Sequence, residues 1–361
     1  MTKRIDAITA QLPGLGVDAL LITDEINTGY LSGFSGDSSY LLVTTAGTTI
    51  LSDRRYETQI ASECPELTAA IRPPTQTMLE LINEVVSGTQ IANLGIESDH
   101  VNVSLLRGIN SELPDLKLHE TSGITEALRM IKDDCEIEII RKSIDIAQRS
   151  LQSVLPRLTP DWTERQVAFE LEAIMRSLGA EGVSFTPIIG AEPSGALPHY
   201  CPSDTKIADA ATLLVDWGAN YRGYASDLTR TFHRDHASAK FKSAYQAVLD
   251  SQLAAIEAIR PGARTADVDQ AARGVLSAAG LGEAFIHGLG HGIGLQIHEG
   301  PRVSAISPDV LEPGMVITVE PGVYFVSNFG IRIEDDVLVT ESGYEVLSTL
   351  PKGLDDCRLM L

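Results

Sequence analysis

The chain has 361 residues, more than one core ordinarily encloses, so two domains are expected. Hydrophobic residues make up 43% and charged residues 21%, an ordinary soluble globular composition. A net charge of −21 argues against nucleic acid and anionic membrane surfaces as partners.

The N-terminal segment carries Lys3 and Arg4, but Asp6 and Gln11 interrupt any apolar stretch. It reads as a helix over 4–13 and not as a secretory signal. Strands are expected at 18–23, 40–45, 48–52 and 91–96, in the order helix, strand, helix, hairpin, helix, strand. A small α/β unit follows from that order. The segment 66–125 carries no readable chemical signal. The texture changes near residue 123, and the domains are set at 1–124 and 125–361, with a helix over 133–151 capped by Asp133 or Asp134. Further helices are expected at 164–178 behind Thr163, at 237–259 before Pro261-Gly262, and at 266–279 before Gly280. Strands are expected at 213–217, 225–233, 316–320 and 330–340. Two helix pairs, each followed by strands, hint at a duplication too faint in sequence to claim. Cys64, Cys135, Cys201 and Cys357 form no CxxC pair, so reduced thiols and a cytoplasmic setting are expected. No apolar run reaches the roughly 18 residues of a membrane span.

Chemistry gathers on five residues. Asp216 ends the apolar strand LLVDWG, and Asp227 follows in YASDLTRTF across the turn at 220–223. A hairpin there would bring both aspartates to one face, with Thr229 and Thr231 available as supporting donors. His291 lies in HGLGHGIG, whose glycines exclude a helix interior and permit close backbone approach. With His287 and His298 it makes three imidazoles able to serve metal, substrate or proton transfer. Glu320 ends a strand at VEPG. In GIRIEDD, Arg332 and Glu334 share one face and Asp335 the other. Four carboxylates and one imidazole suit divalent Mn, Co or Zn. They carry too much charge for one dication and suit two that together activate a water.

These segments resemble the creatinase/prolidase-type "pita-bread" metallopeptidases, the family of Xaa-Pro dipeptidases and Xaa-Pro aminopeptidases. The resemblance covers nearly the whole chain. It implies an α+β architecture: a creatinase-like N-terminal domain, then a curved, mainly antiparallel sheet covered by helices. It further implies that Asp227 and Glu334 bridge two metals, that Asp216 completes one, and that His291 and Glu320 complete the other. A bridging hydroxide attacks the scissile carbonyl, with Glu320 as general base or shuttle. By the same resemblance His199 lines the substrate site, His298 contacts the scissile peptide, and His287 and Arg332 are further active-site positions. The segments GFSGDSSYLLV and LSDRRYETQ fit the N-terminal pattern of bacterial Xaa-Pro peptidases. There Arg55 either recognises a substrate end or pairs with Asp53. Expected partners are short proline-containing peptides and a second copy of the chain as a homodimer. Two other readings keep the fold: a creatinase-like C–N hydrolase, and a silent binding protein. Both predict loss of metal ligands, and none is lost.

Overall fold

A computed structural model describes residues 2–359, which fall into two compact units, Met1–Arg129 and Met130–Leu361. In the first, helices α1 (Thr2–Leu15), α2 (Glu25–Ser32), α3 (Glu57–Glu63), α4 (Met78–Ser87), α5 (Val103–Glu112) and α6 (Ile124–Met130) surround one sheet. Its strands are β1 (Ala19–Ile22), β2 (Tyr40–Thr44), β3 (Gly47–Asp53), β4 (Thr68–Arg72), β5 (Asn93–Glu97) and β6 (Lys117–Thr121). Their order is β4-β3-β2-β1-β5-β6. The steps from β1 through β2 to β3 are antiparallel. The β3–β4 and β5–β6 pairs are parallel and cross over through α3 and α5. All four residues of β1 are buried, as a central strand with both faces covered requires. The four strands read from sequence are β1, β2, β3 and β5. The two that were missed, β4 and β6, are the sheet's edges. Their sequences, TAAIR and KLHET, are mostly exposed or half-buried and carry no apolar rhythm.

The second unit repeats a scheme of two helices followed by strands. α7 (Asp134–Val154) and α8 (Glu164–Ser177) precede β7 (Gly182–Val183), β8 (Ile188–Ala191), β9 (Thr212–Trp217), β10 (Ala219–Tyr221), β11 (Tyr224–Ala225) and β12 (Leu228–His233). α9 (Ala239–Ala258) and α10 (Thr265–Ala278) precede β13 (Gly290–Gly292), β14 (Glu299–Val303), β15 (Val316–Val319), β16 (Gly322–Tyr324), β17 (Gly330–Arg332), β18 (Asp335–Thr340) and β19 (Gly343–Val346). The helix starts follow the capping chemistry. Asp133 and Glu136 form a capping box on α7, Thr163 and Gln166 another on α8, and Ser238 caps α9. The sheets β12-β9-β8 and β14-β13-β15-β18-β19 are antiparallel. One apolar cluster unites the helices with both. Within it the Trp217 indole donates to the Ala147 carbonyl at 2.8 Å, fixing α7 against β9.

Two strands expected to be continuous are broken. The 225–233 segment lapses at Ser226-Asp227, and the 330–340 segment at Ile333-Glu334. At each break a carboxylate leaves the ladder: the Asp227 amide donates to Asp336 Oδ2 at 3.1 Å, and the Glu334 amide to the Thr229 carbonyl at 3.1 Å. Close backbone approach supports the first break. A Cβ on Gly218 would stand 1.8 Å from the Ser226 carbonyl oxygen.

Behind the sheet lies a buried ion pair. Arg230 donates to Asp335 Oδ1 at 2.7 Å and to the carbonyls of Glu334 at 2.6 Å and Leu350 at 2.8 Å. Both side chains are 1% exposed, and Lys352 reaches Asp335 Oδ2 at 2.5 Å. Replacing Arg230 with Met removes the fork and leaves Asp335 undercompensated. Urea unfolding of the metal-free protein is expected to show a loss of about 3–5 kcal/mol.

Candidate metal centre

Each carboxylate arrives where a strand begins, ends or breaks. Asp216 lies on β9 opposite Thr229 of β12, and Thr229 also bridges to Glu334. Asp227 directly precedes β12, and Glu320 directly follows β15. One ligand atom from each of Asp216, Asp227 and Glu334 lies within 4.8 Å of the others, and all three residues are buried. His291, on β13, joins this group. Its Nε2 stands 3.6 Å from Asp227 Oδ2 and 3.5 Å from Glu320 Oε1. Its Nδ1 lies 3.0 Å from the Gly292 carbonyl, which only accepts, so the proton sits on Nδ1 and the Nε2 lone pair faces the carboxylates. The glycines permit this placement: a Cβ on Gly290 would come 2.1 Å from the Thr318 carbonyl oxygen. The Thr318 hydroxyl also accepts the His291 amide at 3.1 Å.

Arg332 ties the other side together. Its guanidinium donates to Asp216 Oδ2, to Thr229 Oγ1 at 3.1 Å and to the Tyr324 hydroxyl at 2.6 Å. The Thr229 hydroxyl donates in turn to Glu334 Oε2 at 2.5 Å. Thr231 donates to the Arg332 carbonyl at 3.0 Å, so both threonines support the centre. His287 donates through Nδ1 to the Gly288 carbonyl at 2.7 Å and accepts the Tyr324 hydroxyl through Nε2 at 3.0 Å. His298 stacks edge-on against His291, with ring centroids 4.4 Å apart. His199 is exposed, and the adjacent Pro198 carbonyl accepts from Arg332 at 3.4 Å. Arg55 lies in the first unit. It forks onto Asp53 at 3.0 and 2.9 Å, with its side chain 65% exposed.

Sequence reading missed Tyr324, which links His287 to Arg332. The available signal was a tyrosine four residues after Glu320 in an otherwise apolar strand. It also missed Arg230, an arginine between Thr229 and Thr231 in a fully buried strand, whose partner Asp335 had already been assigned to the face opposite Glu334.

The electrostatics are those of an uncompensated anionic pocket. Burial pushes the carboxyls of Asp227 and Glu334 well above the usual range, and neighbouring carboxylates add to the shift. Burial raises Asp216 as well, although Arg332 opposes it. Glu320 is pushed up to about 8, chiefly by burial. Burial holds His291 down at about 4, so it is neutral and free to ligate at pH 7. Among the described residues, Asp216 Oδ1 and Glu334 Oε1 are buried without a hydrogen-bond partner. Hard oxygen donors, a neutral imidazole and orphaned buried oxygens fit divalent cations. A second group, Glu97, His100 and Glu126 in the first unit, lacks this character. Glu97 is already taken up by the amides of Thr23 and Asp24 and by Asn27, and Glu126 by Asn27 and His100.

Fold and site together define a hydrolytic metal-dependent enzyme. Residues 138–341 match the profile of metallopeptidase family M24, and residues 4–131 match that of the Creatinase/Prolidase N-terminal domain. A Xaa-Pro dipeptidase of Pyrococcus furiosus is 33% identical over 98% of this chain and 100% of its own length. A solved Xaa-Pro dipeptidase of Bacillus anthracis is 34% identical with a TM-score of 0.94, covering 98% of this chain and 99% of that one. A solved X-Pro aminopeptidase of Thermotoga maritima is 34% identical with a TM-score of 0.87, covering 94% and 97%. The chain belongs to metallopeptidase family M24: it is a metallopeptidase with a creatinase-type N-terminal domain and a pita-bread catalytic domain. The family uses divalent metals, and the buried carboxylates are where this chain would hold them. Among the described residues, no helix is long and apolar enough to cross a membrane.

The raised carboxyl pKa values set a pH signature. Glu320 goes from 4.5 when unfolded to about 8 when folded, so its contribution to metal-free stability is full below 4.5 and is lost as pH rises through 8. A dication reverses this by favouring the ionised form. Saturating Mn is therefore expected to raise Tm more at pH 8 than at pH 5.5, as read by thermal unfolding at both values. Equal increments would contradict the assignment.

Proposed function

We propose that the protein hydrolyses the peptide bond preceding proline, in dipeptides or at the N-terminus of short peptides, with two divalent ions of which Mn is the expected native one. The observation that carries the reading is the buried convergence of Asp216, Asp227 and Glu334, with oxygens left unpartnered. In this reading Asp227 and Glu334 would be shared between the two ions, Asp216 would help hold one, and His291 and Glu320 would help hold the other. When bound, the ions supply Lewis-acid activation of a water and of the scissile carbonyl.

The chain's own groups do the rest. Glu320, whose carboxyl oxygen accepts from Thr318 Oγ1 at 3.4 Å and which bound cations would hold ionised, takes a proton from the water and returns it to the leaving proline nitrogen. His298 and His199 donate to the carbonyl oxygen as charge develops on it. Arg332 orients Asp216 and, through Tyr324, His287. Bonds before proline need a dedicated site because the imide lacks an N–H and its φ is fixed. Relatives of both activities are about equally similar, at 33% and 34% identity, so substrate length is for experiment to decide. The same reading expects a homodimer in the cytoplasm, a setting suited to the four free cysteines.

The test is hydrolysis of Ala-Pro, Ala-Pro-Ala and a proline-free dipeptide by chelator-treated protein, before and after Mn is restored. Mn-dependent cleavage of the dipeptide alone assigns a prolidase, and cleavage of the tripeptide an aminopeptidase. Metal binding without cleavage of either overturns the reading. Asp227→Asn is expected to lower kcat/KM by at least about 10²–10³-fold while circular dichroism is unchanged.

A further inference from the structure

Helix α10 lies outside the ligand set, yet it reaches directly into the glycine-rich histidine segment. Asp269, fully buried on this helix, accepts the Leu289 amide through Oδ1 at 3.1 Å. Arg273, one turn later, pairs with both oxygens of Asp269 at 2.6 and 3.1 Å. The same guanidinium donates to the Phe285 carbonyl at 3.2 Å and to the His287 carbonyl, and its central carbon lies 4.2 Å from the Phe285 ring centroid. Residues 285, 287 and 289 are thus held from one side by a single i,i+4 pair. A glycine-flanked segment has little conformational preference of its own, so these contacts replace the restraint that side chains would otherwise give. From His287 the chain of contacts continues through Tyr324 and Arg332 to Asp216.

We infer that Arg273, locked by Asp269, is a positioning residue that sets the His287 imidazole against Tyr324 and so determines the active geometry of the Arg332 side of the site. This rests on the reading of His287 as an active-site group. The planar fork of Arg273 suits that role, because some of its nitrogens satisfy Asp269 while others reach two carbonyls, which an ammonium cannot do in the same geometry.

The test is a double-mutant cycle on kcat/KM for the peptide cleaved by the Mn-loaded protein, using Arg273→Ala, His287→Ala and the pair, with Arg273→Lys as the variant that keeps the charge. Loss of a group that orients an active-site side chain is expected to lower activity by about 10–100-fold, as for the residues that orient metal ligands. Arg273→Ala is expected to do so alone and to add little once His287 is already removed, because the two act as one unit. Arg273→Lys is expected to fall in between, and it remains readable if the alanine variant does not fold. In metal-free protein, NMR titration of the His287 ring is expected to move from about 4 toward the ordinary histidine value of 6.5 in Arg273→Lys as the ring leaves its buried seat. The same fold-loss in both backgrounds, or an unmoved ring titration, overturns the positioning role while leaving the site reading intact. Full activity of His287→Ala overturns the site reading itself and the inference with it.

Discussion

The mutual repulsion of buried carboxylates is the constraint on which the rest of this structure depends. Ligand atoms of Asp216, Asp227 and Glu334 lie within 4.8 Å of one another, with Glu320 reaching the same group through His291. Two like charges about 4 Å apart repel by about 4 kcal/mol at an effective dielectric near 20. Three such pairs amount to roughly the whole stability of a domain, about 5–15 kcal/mol. A fully ionised, cation-free centre is therefore not a state this fold sustains. Protons fill the role when metal is absent, which is why burial and neighbouring charge drive these carboxyls upward. In the proposed reading divalent cations would fill it at neutral pH.

The scaffold keeps that repulsion from pulling the strands apart by dividing charges across the two faces of its strands. Arg332 and Glu334 point to the centre, whereas Asp335 turns away to Arg230 and Lys352. Arg230 also holds the Glu334 carbonyl, so the ligand's backbone is fixed from behind by a cation that never meets the metal site. Period-two alternation lets one short segment carry both a ligand and its support.

That alternation is also why so much was legible. An acidic residue closing an apolar strand, as at Asp216 and Glu320, stands out because burial without a partner is costly. The opposed faces of Arg332, Glu334 and Asp335 follow from counting by two. Helix starts at Asp133 and Thr163 follow from capping chemistry. What stayed hidden depends on tertiary context. The edge strands β4 and β6 have only one neighbour each and need no apolar rhythm. The breaks at Asp227 and Glu334 arise because side-chain and cross-sheet acceptors, Asp336 Oδ2 and the Thr229 carbonyl, take over the amides. No local pattern announces those partners, which are more than 100 residues away. Asp269 and Arg273 stand at i,i+4 spacing on α10, and only packing reveals that the carboxylate is fully buried. In the first unit, Asp53 forks onto Arg55 and also accepts Arg72 at 3.1 Å, the ion pair that sequence alone left open beside substrate recognition.

The completeness of the ligand set bears on which chemistry the fold serves. A C–N hydrolase or a silent binder of this architecture has no use for clustered buried carboxyls, yet it would still have to keep them protonated at neutral pH. Replacing Asp227 or Glu334 by a neutral residue of similar shape would remove that need, whereas Asp216 also pairs with the buried Arg332. This chain retains every carboxylate, keeps His291 neutral with its lone pair turned inward, and leaves two buried oxygens without partners. Clustered buried carboxyls and unpartnered buried oxygens are costly without cations and favourable with them, and that is the physical support for the proposed metal reading.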